Sequence, residues 1–360
     1  MAARSHDFSW PRDEPVSNGL HTYATSDLTV VELQTDVGLV GYGIGRPRPG
    51  ERELRRDMLD RVVGRDPLMS EAIWADLWSP KLRGRRGLET RALSSIDLAL
   101  WDIRAKLAGL PLYRLLGGFR KTVPFYMAGG YYSPGKDLGR LQAEFAHYVE
   151  LGATAVKMKV GAIPIEQDLD RIRAVREAIG PSVRLMLDAN CAYRYYEAIE
   201  LSRRAEAFDP FWFEEPVQPD DYDGMRRIAA ATAVPLAAGE NEYTKFGFRD
   251  LIDTGAVAVI NPDARYMGGV TEFMKVAALA QAAGLDLCPH GEQQAHVQLV
   301  AAVPNAIYLE YYPESVKAMA SRAYLNPPTM NPDGTVNVPE APGVGLDPDW
   351  DALEPHRLAP

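Results

Sequence analysis

The chain has 360 residues, of which 46% are hydrophobic and 24% charged, with a formal net charge of −10. That length accommodates one large barrel plus a smaller domain, and the acidic balance argues against a general nucleic-acid binder, which needs a positive field. The two cysteines, Cys191 and Cys288, cannot build a disulfide framework or a Cys-rich zinc site, and no apolar run approaches the roughly 20 residues that span a bilayer.

In chain order, residues 1–27 read as irregular, punctuated by Pro11, Pro15, Asn18 and Gly19. A strand over Leu28–Gln34, a turn at Val37-Gly38 and a strand over Leu39–Gly43 predict a hairpin. Ser94–Ala108 predicts a helix with Ile96, Leu100, Ile103 and Leu107 on one face, stopped by Gly109 and Pro111. Residues 1–122 therefore form a small α+β domain. From Val123 the pattern alternates. Strands are predicted at Val123–Met127, Ala155–Val160, Arg184–Asp188, Phe211–Glu214, Leu236–Ala238, Ala258–Ile260, Asp286–Cys288 and Ile307–Leu309. Amphipathic stretches such as Asp168–Ile179 and Thr271–Ala283 separate them. Strand–helix alternation implies parallel pairing, and eight such units imply an α/β fold closed into a (β/α)8 TIM-like barrel over residues 123–325. The alternative, a doubly wound open sheet, is disfavoured because no Gly-rich dinucleotide loop follows any strand. The tail, 326–360, is rich in Pro, Gly, Asn and Asp and is expected to pack back on the small domain.

In such a barrel, chemistry gathers at the carboxyl ends of the strands. Those ends carry Lys157 and Lys159, Asp188 and Asn190, Glu214, Glu240, Asp263, His290 and Glu310. Ionisable groups converging on one rim would repel or stay unsolvated unless they form a site. Asp188, Glu214 and Glu240 lie on successive strands, 26 residues apart each time. Three carboxylates with no Cys or His among them call for a hard cation, Mg2+, with Mn2+ as the alternative. Lys157 and Lys159 share one face of their strand. Two neighbouring ammoniums and a nearby metal are expected to depress the lysine pKa, which suits a general base. Asp263 would fix the tautomer of His290 and raise its basicity.

The strings Lys157-Met-Lys159, Asp188-Ala-Asn190, Phe213-Glu-Glu-Pro216, Gly239-Glu-Asn241, Asn261-Pro-Asp263, Gly268-Gly-Val-Thr271, His290 and Leu309-Glu310 occur in the order found in the enolase superfamily. Together with Ser95-Ile-Asp-Leu-Ala-Leu-Trp-Asp102 and Leu115-Leu-Gly-Gly118, they resemble its mandelate racemase-like subgroup over nearly the whole chain. The resemblance implies a modified barrel with an N-terminal α+β capping domain that supplies specificity. It implies Mg2+ on Asp188, Glu214 and Glu240, and proton transfer by Lys159, assisted by Lys157, and by His290, oriented by Asp263. Asn190 would contact the substrate, and Glu310 would hydrogen-bond a substrate carboxylate oxygen. The chain departs from the family in seeming to open within the mobile specificity loop, at Arg4, His6, Asp7, Phe8, Trp10 and Arg12, without a preceding strand.

Opposed Lys159 and His290 permit two outcomes. One group can remove the α-proton while another expels a β-hydroxyl, dehydrating an acid sugar to a 2-keto-3-deoxy acid. Alternatively, one takes the proton and the other returns it, giving a racemase, epimerase or cycloisomerase of a hydroxy acid. The polar stretch Arg4–His21, with His6 and Trp10 as substrate contacts, suits a polyol, whose hydroxyls need partners once water is excluded. Dehydration is therefore favoured. A Schiff-base aldolase would leave the three carboxylates unexplained, and a silent sugar-acid binder is disfavoured because no essential residue is lost. The expected ligand is a small-molecule carboxylate, without nucleic-acid or membrane partners, bound by a cytoplasmic homo-oligomer.

Overall fold

The computed structural model describes residues 2–359. The chain opens with an antiparallel sheet of β1 (Ala2–Ser17), β2 (Thr22–Gln34) and β3 (Val40–Gly45), in the order β1-β2-β3. The stretch expected to be irregular is therefore largely a 16-residue strand, paired with β2 from Ala2↔Gln34 onward. Its prolines concealed it. They are tolerated because β1 is an edge strand, and the register shifts between Pro11 and Val16. Phe8 and Trp10 are buried, at 0% and 4% exposure.

Helices α1 (Glu51–Val62), α2 (Ser70–Leu77), α3 (Pro80–Arg83), α4 (Leu88–Leu107) and α5 (Leu112–Leu115) complete this domain. Helix α4 buries Ile96, Leu100 and Ile103 against the sheet, whereas Leu107, in its last turn, is half exposed. Close approach depends on Gly43: a Cβ there would overlap the Ser95 carbonyl oxygen of α4.

Eight parallel strands follow among the described residues: β4 (Thr122–Gly129), β5 (Ala155–Lys159), β6 (Arg184–Asp188), β7 (Pro210–Glu214), β8 (Leu236–Ala238), β9 (Val259–Ile260), β10 (Asp286–Leu287) and β11 (Leu309–Tyr311). Each pairs with the next from β4 to β10, β11 pairs with β4, and a Leu287–Ala306 bridge closes the ring. Between them run α6 (Leu138–Glu150), α7 (Ile165–Ile179), α8 (Tyr195–Ala205), α9 (Tyr222–Ala229), α10 (Thr244–Ile252), α11 (Gly269–Ala282) and α12 (Gln293–Ala302). The strands expose almost nothing because helices cover the outside and side chains such as Tyr126, Met186 and Trp212 fill the inside. The last strand lies two residues later than expected, which places Glu310 within it rather than just past its end. Among the described residues, no helix is long and apolar enough to cross a membrane.

The tail forms a hairpin, β12 (Thr329–Met330) and β13 (Thr335–Asn337), that pairs antiparallel with the start of β4. It then crosses the small domain. The Val344 N–H donates to Asp102 Oδ1 (2.7 Å), and the Leu358 N–H donates to the Asp7 carbonyl (2.8 Å). Helix α13 (Trp350–Leu353) sets Trp350 against Phe8 and Tyr42. The small domain is also joined to the barrel at α11. Asp97 accepts from the Thr271 N–H (2.9 Å) and hydroxyl (2.6 Å), and Trp74 Nε1 donates to the Gly268 carbonyl (2.9 Å).

Candidate active site

Strand register builds the site. Lys159 on β5 lies opposite Asp188 on β6, and Asp188 lies opposite Glu214 on β7, so these three side chains stand at one level of the rim. Glu240 follows β8. One oxygen from each of Asp188, Glu214 and Glu240 lies within 4.8 Å of the others, and the first two residues are fully buried. Lys157 Nζ reaches Glu214 Oε1 (2.7 Å), Glu310 Oε1 (2.7 Å) and Asp188 Oδ2 (3.3 Å), while Lys159 Nζ reaches Asp188 Oδ2 (2.5 Å). Trp212 Nε1 donates to Glu214 Oε2 (3.0 Å).

Four carboxylates thus crowd around Lys157 and Lys159, with His290 Nε2 3.3 Å from Glu240 Oε2. Burial and the neighbouring carboxylates push the Glu214 carboxyl well above its usual range, despite Lys157. Asn190 Oδ1 is buried without a hydrogen-bond partner among the described residues. An all-oxygen donor set of three crowded carboxylates fits one hard divalent cation.

Lys157 lowers the Lys159 pKa, as expected of neighbouring ammoniums, but in the metal-free site carboxylates outweigh it. Burial disfavours the Lys159 ammonium, but Asp188 outweighs it, and its pKa stands above the usual lysine value. Lys157 is raised likewise, by Glu214 and Glu310. Each ammonium has found a carboxylate of its own, an attraction stronger than the Lys–Lys repulsion.

On the next strands, His290 Nδ1 lies 3.0 Å from Asp263 Oδ2, and its Nε2 lies 3.3 Å from Glu240 Oε2. Burial lowers the imidazole pKa, yet Glu240 and Asp263 lift it to about 9. Asp263 is held by Arg265 through Nε (3.0 Å), Nη2 (2.5 Å) and the backbone N–H (2.9 Å), which keep its carboxyl far below the usual range despite burial. Buried His296 accepts the Ala264 N–H at Nε2 (3.0 Å), which fixes the turn after β9. Neither Arg265 nor His296 was singled out in the sequence, although Arg265 stands two residues from Asp263.

The turn after β6 is strained: Asn190 and Cys191 both take left-handed backbone angles, with φ of 43° and 66°. That turn sets Asn190 Nδ2 3.2 Å from Glu240 Oε1 and its backbone N–H 2.9 Å from Asp188 Oδ1. Buried Glu215 braces the rim behind it, accepting from the Gly239 N–H (2.9 Å) and Asn241 Nδ2 (3.2 Å).

A cavity of about 330 Å3 opens over these groups and is lined by Lys159, Asn190, Glu240 and His290. Of the N-terminal stretch, Arg12, Asn18, Leu20 and His21 reach it. His6 and Trp10, expected as substrate contacts, do not line it. His6 stacks edge-on against Trp350 (5.3 Å) and pairs with Arg357, while Trp10 is buried and donates to the Ala318 carbonyl (3.0 Å). His6 and Trp10 face the tail and the loop after β11, while Arg12, the hairpin tip and the start of β2 line the cavity.

Comparison with known proteins agrees with this geometry. The family model described as "Mandelate racemase / muconate lactonizing enzyme, N-terminal domain" matches residues 2–117, and "Enolase C-terminal domain-like" matches 140–352. The chain is 34% identical to arabinonate dehydratase of Saccharolobus solfataricus, over 89% of this chain and 87% of that one. It is 35% identical to D-galactarolactone cycloisomerase of Agrobacterium fabrum, over 99% and 98%. A racemase from Streptomyces coelicolor A3(2), solved with bound magnesium, superposes with a TM-score of 0.90 at 31% identity, covering 99% of each chain.

Proposed function

Since the chain belongs to the mandelate racemase / muconate lactonizing enzyme family of the enolase superfamily, we propose that it dehydrates an acid sugar to a 2-keto-3-deoxy acid with Mg2+ as its cation. The observation that carries this reading is the placement of Lys159 and His290 around one cavity, with Glu240 on its lining and an oxygen of each of buried Asp188 and Glu214 within 4.8 Å of one of Glu240's.

Asp188, Glu214 and Glu240 would hold the cation. When bound, it would polarise the substrate carboxylate, stabilise the charge that builds on its oxygens as the α-proton leaves, and lower the Lys159 pKa by taking over Asp188. The remaining work falls to this chain's side chains. Lys157 pairs with Glu214 and Glu310 and fixes both. Glu310 accepts the Gly291 N–H (2.5 Å) and the Tyr312 hydroxyl (3.1 Å), and its negative charge is held next to Lys157 beneath the site. Asp263 holds the Nδ1–H of His290, leaving Nε2 toward the cavity. The Cα–H bond breaks to Lys159 Nζ or His290 Nε2. The C–O bond of the β-hydroxyl breaks as the other group delivers a proton, releasing water, and the resulting enol tautomerises to the 2-keto acid.

The 99% alignment with a cycloisomerase supports a second reading, intramolecular attack and ring opening or closure at the same site. One assay separates the two. With the Mg2+-loaded protein given open-chain acid sugars and their lactones separately, mass spectrometry should show a 2-keto acid lighter than its open-chain substrate by one water for dehydration. A product isomeric with its lactone substrate, and none from the open-chain acids, rejects dehydration in favour of cycloisomerisation.

A further inference from the structure

The cavity has two walls from two domains. The barrel supplies Lys159, Glu240 and His290, and the capping domain supplies four guanidiniums: Arg12 from β1, Arg46 and Arg48 from the segment after β3, and Arg91 from the first turn of α4. One carboxylate lines that second wall, Asp27, 3.7 Å from Arg46. Arg91 lies flat over the Tyr266 ring, 3.6 Å from its centroid, and its Nε stands 3.6 Å from Glu51, behind the wall. Arg12 donates to the backbone carbonyls of Thr25 (3.3 Å) and Val316. Among the described residues, neither Arg12 nor Arg48 has a carboxylate within 4.0 Å.

We propose that this arginine wall is the receptor for a second anionic group on the substrate, so that the acid sugar carries a carboxylate at both ends of its polyol chain. The proposal rests on the acid-sugar reading above and narrows it to diacids. Four guanidiniums against the single carboxylate of Asp27 leave this wall net positive, which suits an anionic group. A carboxylate matches the guanidinium fork with paired charge-assisted hydrogen bonds, whereas a terminal hydroxymethyl leaves the excess positive charge unanswered. The α-carboxylate does not claim this wall, because the cation cluster and Lys159 occupy the other. Arg48 is poised for release of strain: burial and its neighbours Arg46 and Arg91 disfavour its charge, and an anion would reverse that.

The test uses the Mg2+-loaded protein and matched pairs of six-carbon substrates: diacids, the corresponding monoacids, and the monoacid 6-phosphates. Diacids should show kcat/KM on the order of 100-fold above the monoacids. Arg48→Ala and Arg91→Gln should each raise KM for the diacid about tenfold or more, leaving its kcat nearly unmoved and the monoacid KM unchanged. Isothermal titration of diacids onto Lys159→Ala, with and without Arg48→Ala, reads the wall without turnover. A tenfold weaker diacid affinity on loss of Arg48 supports the proposal even if the dehydratase reading fails. Monoacids handled as well as diacids, a preference for the 6-phosphates, or arginine substitutions that affect mono- and diacids alike would overturn it.

Discussion

His290 Nδ1 meets Asp263 Oδ2 at 3.0 Å, and the same carboxylate is clamped from the other side by Arg265. Asp263 therefore does two jobs: it orients the imidazole and neutralises a buried guanidinium. Asp263→Asn should lower kcat on the order of 100-fold or more by freeing the tautomer. It should also destabilise the fold by about 3 kcal/mol, because Arg265 loses its principal carboxylate and keeps only Glu292, at 3.2 Å. Steady-state kinetics and urea melts check the two effects separately. A variant with wild-type kcat would show that Asp263 does not position His290.

The crowding of the Asp188, Glu214 and Glu240 carboxylates predicts binding of one divalent ion. Mg2+ at about 100 times its Kd should stabilise the chelator-stripped protein by about 2.7 kcal/mol, read as a rise in Tm. Glu240→Gln should abolish that rise while leaving the stripped protein's Tm close to wild type, since Glu240 is the most exposed of the three. A Tm that ignores Mg2+ would contradict the assignment.

A pH dependence follows from the joint between the domains. Burial, aided by Glu71 and Glu272 and opposed by the two Thr271 hydrogen bonds, pushes the Asp97 carboxyl up to about 7. An unfolded aspartate titrates near 3.9, so between about pH 4 and 7 the native state holds the extra proton. Stability should therefore fall as pH rises through that window and level off above it, by an amount on the order of 2–4 kcal/mol from this group. Asp97→Asn keeps an acceptor and a donor for Thr271 and should flatten that part of the slope. Urea midpoints at pH 5 and pH 8 decide it: equal slopes in both proteins would reject Asp97 as the source.

The N-terminal strand makes an opposite pair of predictions. His6→Ala should leave KM within about twofold of wild type, because His6 faces Trp350 and Arg357 rather than the cavity. Trp10→Ala should cost about 3 kcal/mol of stability through the cavity it leaves and the lost bond to Ala318. A large KM change in His6→Ala would put that residue back in contact with substrate.

The barrel and its rim were legible because most strands are short apolar runs that end on or lead into an ionisable residue, as in Leu185-Met-Leu-Asp188 and Phe211-Trp-Phe-Glu214. Local sequence carries that signal by itself. Strand β1 was concealed because Pro11 and Pro15 read as breaks, and only its edge position makes them harmless. The arginine wall was invisible for another reason. Arg12, Arg46, Arg48 and Arg91 lie on separate segments, and only the β1–β3 sheet and the start of α4 bring them to one cavity. The carboxylates that hold the lysine pKa values up in the metal-free site were not legible, because partner distances decide such shifts and sequence spacing gives no distances.

The central claim is metal-assisted removal of an α-proton by Lys159 or His290. Its most direct test is proton NMR of acid sugars incubated in D2O with the Mg2+-loaded protein. The account predicts loss of the C2–H signal of at least one acid sugar, abolished by metal chelation and by the Lys159→Ala, His290→Asn double variant. A C2–H signal that still exchanges in that double variant, or in rigorously metal-free protein, would contradict it.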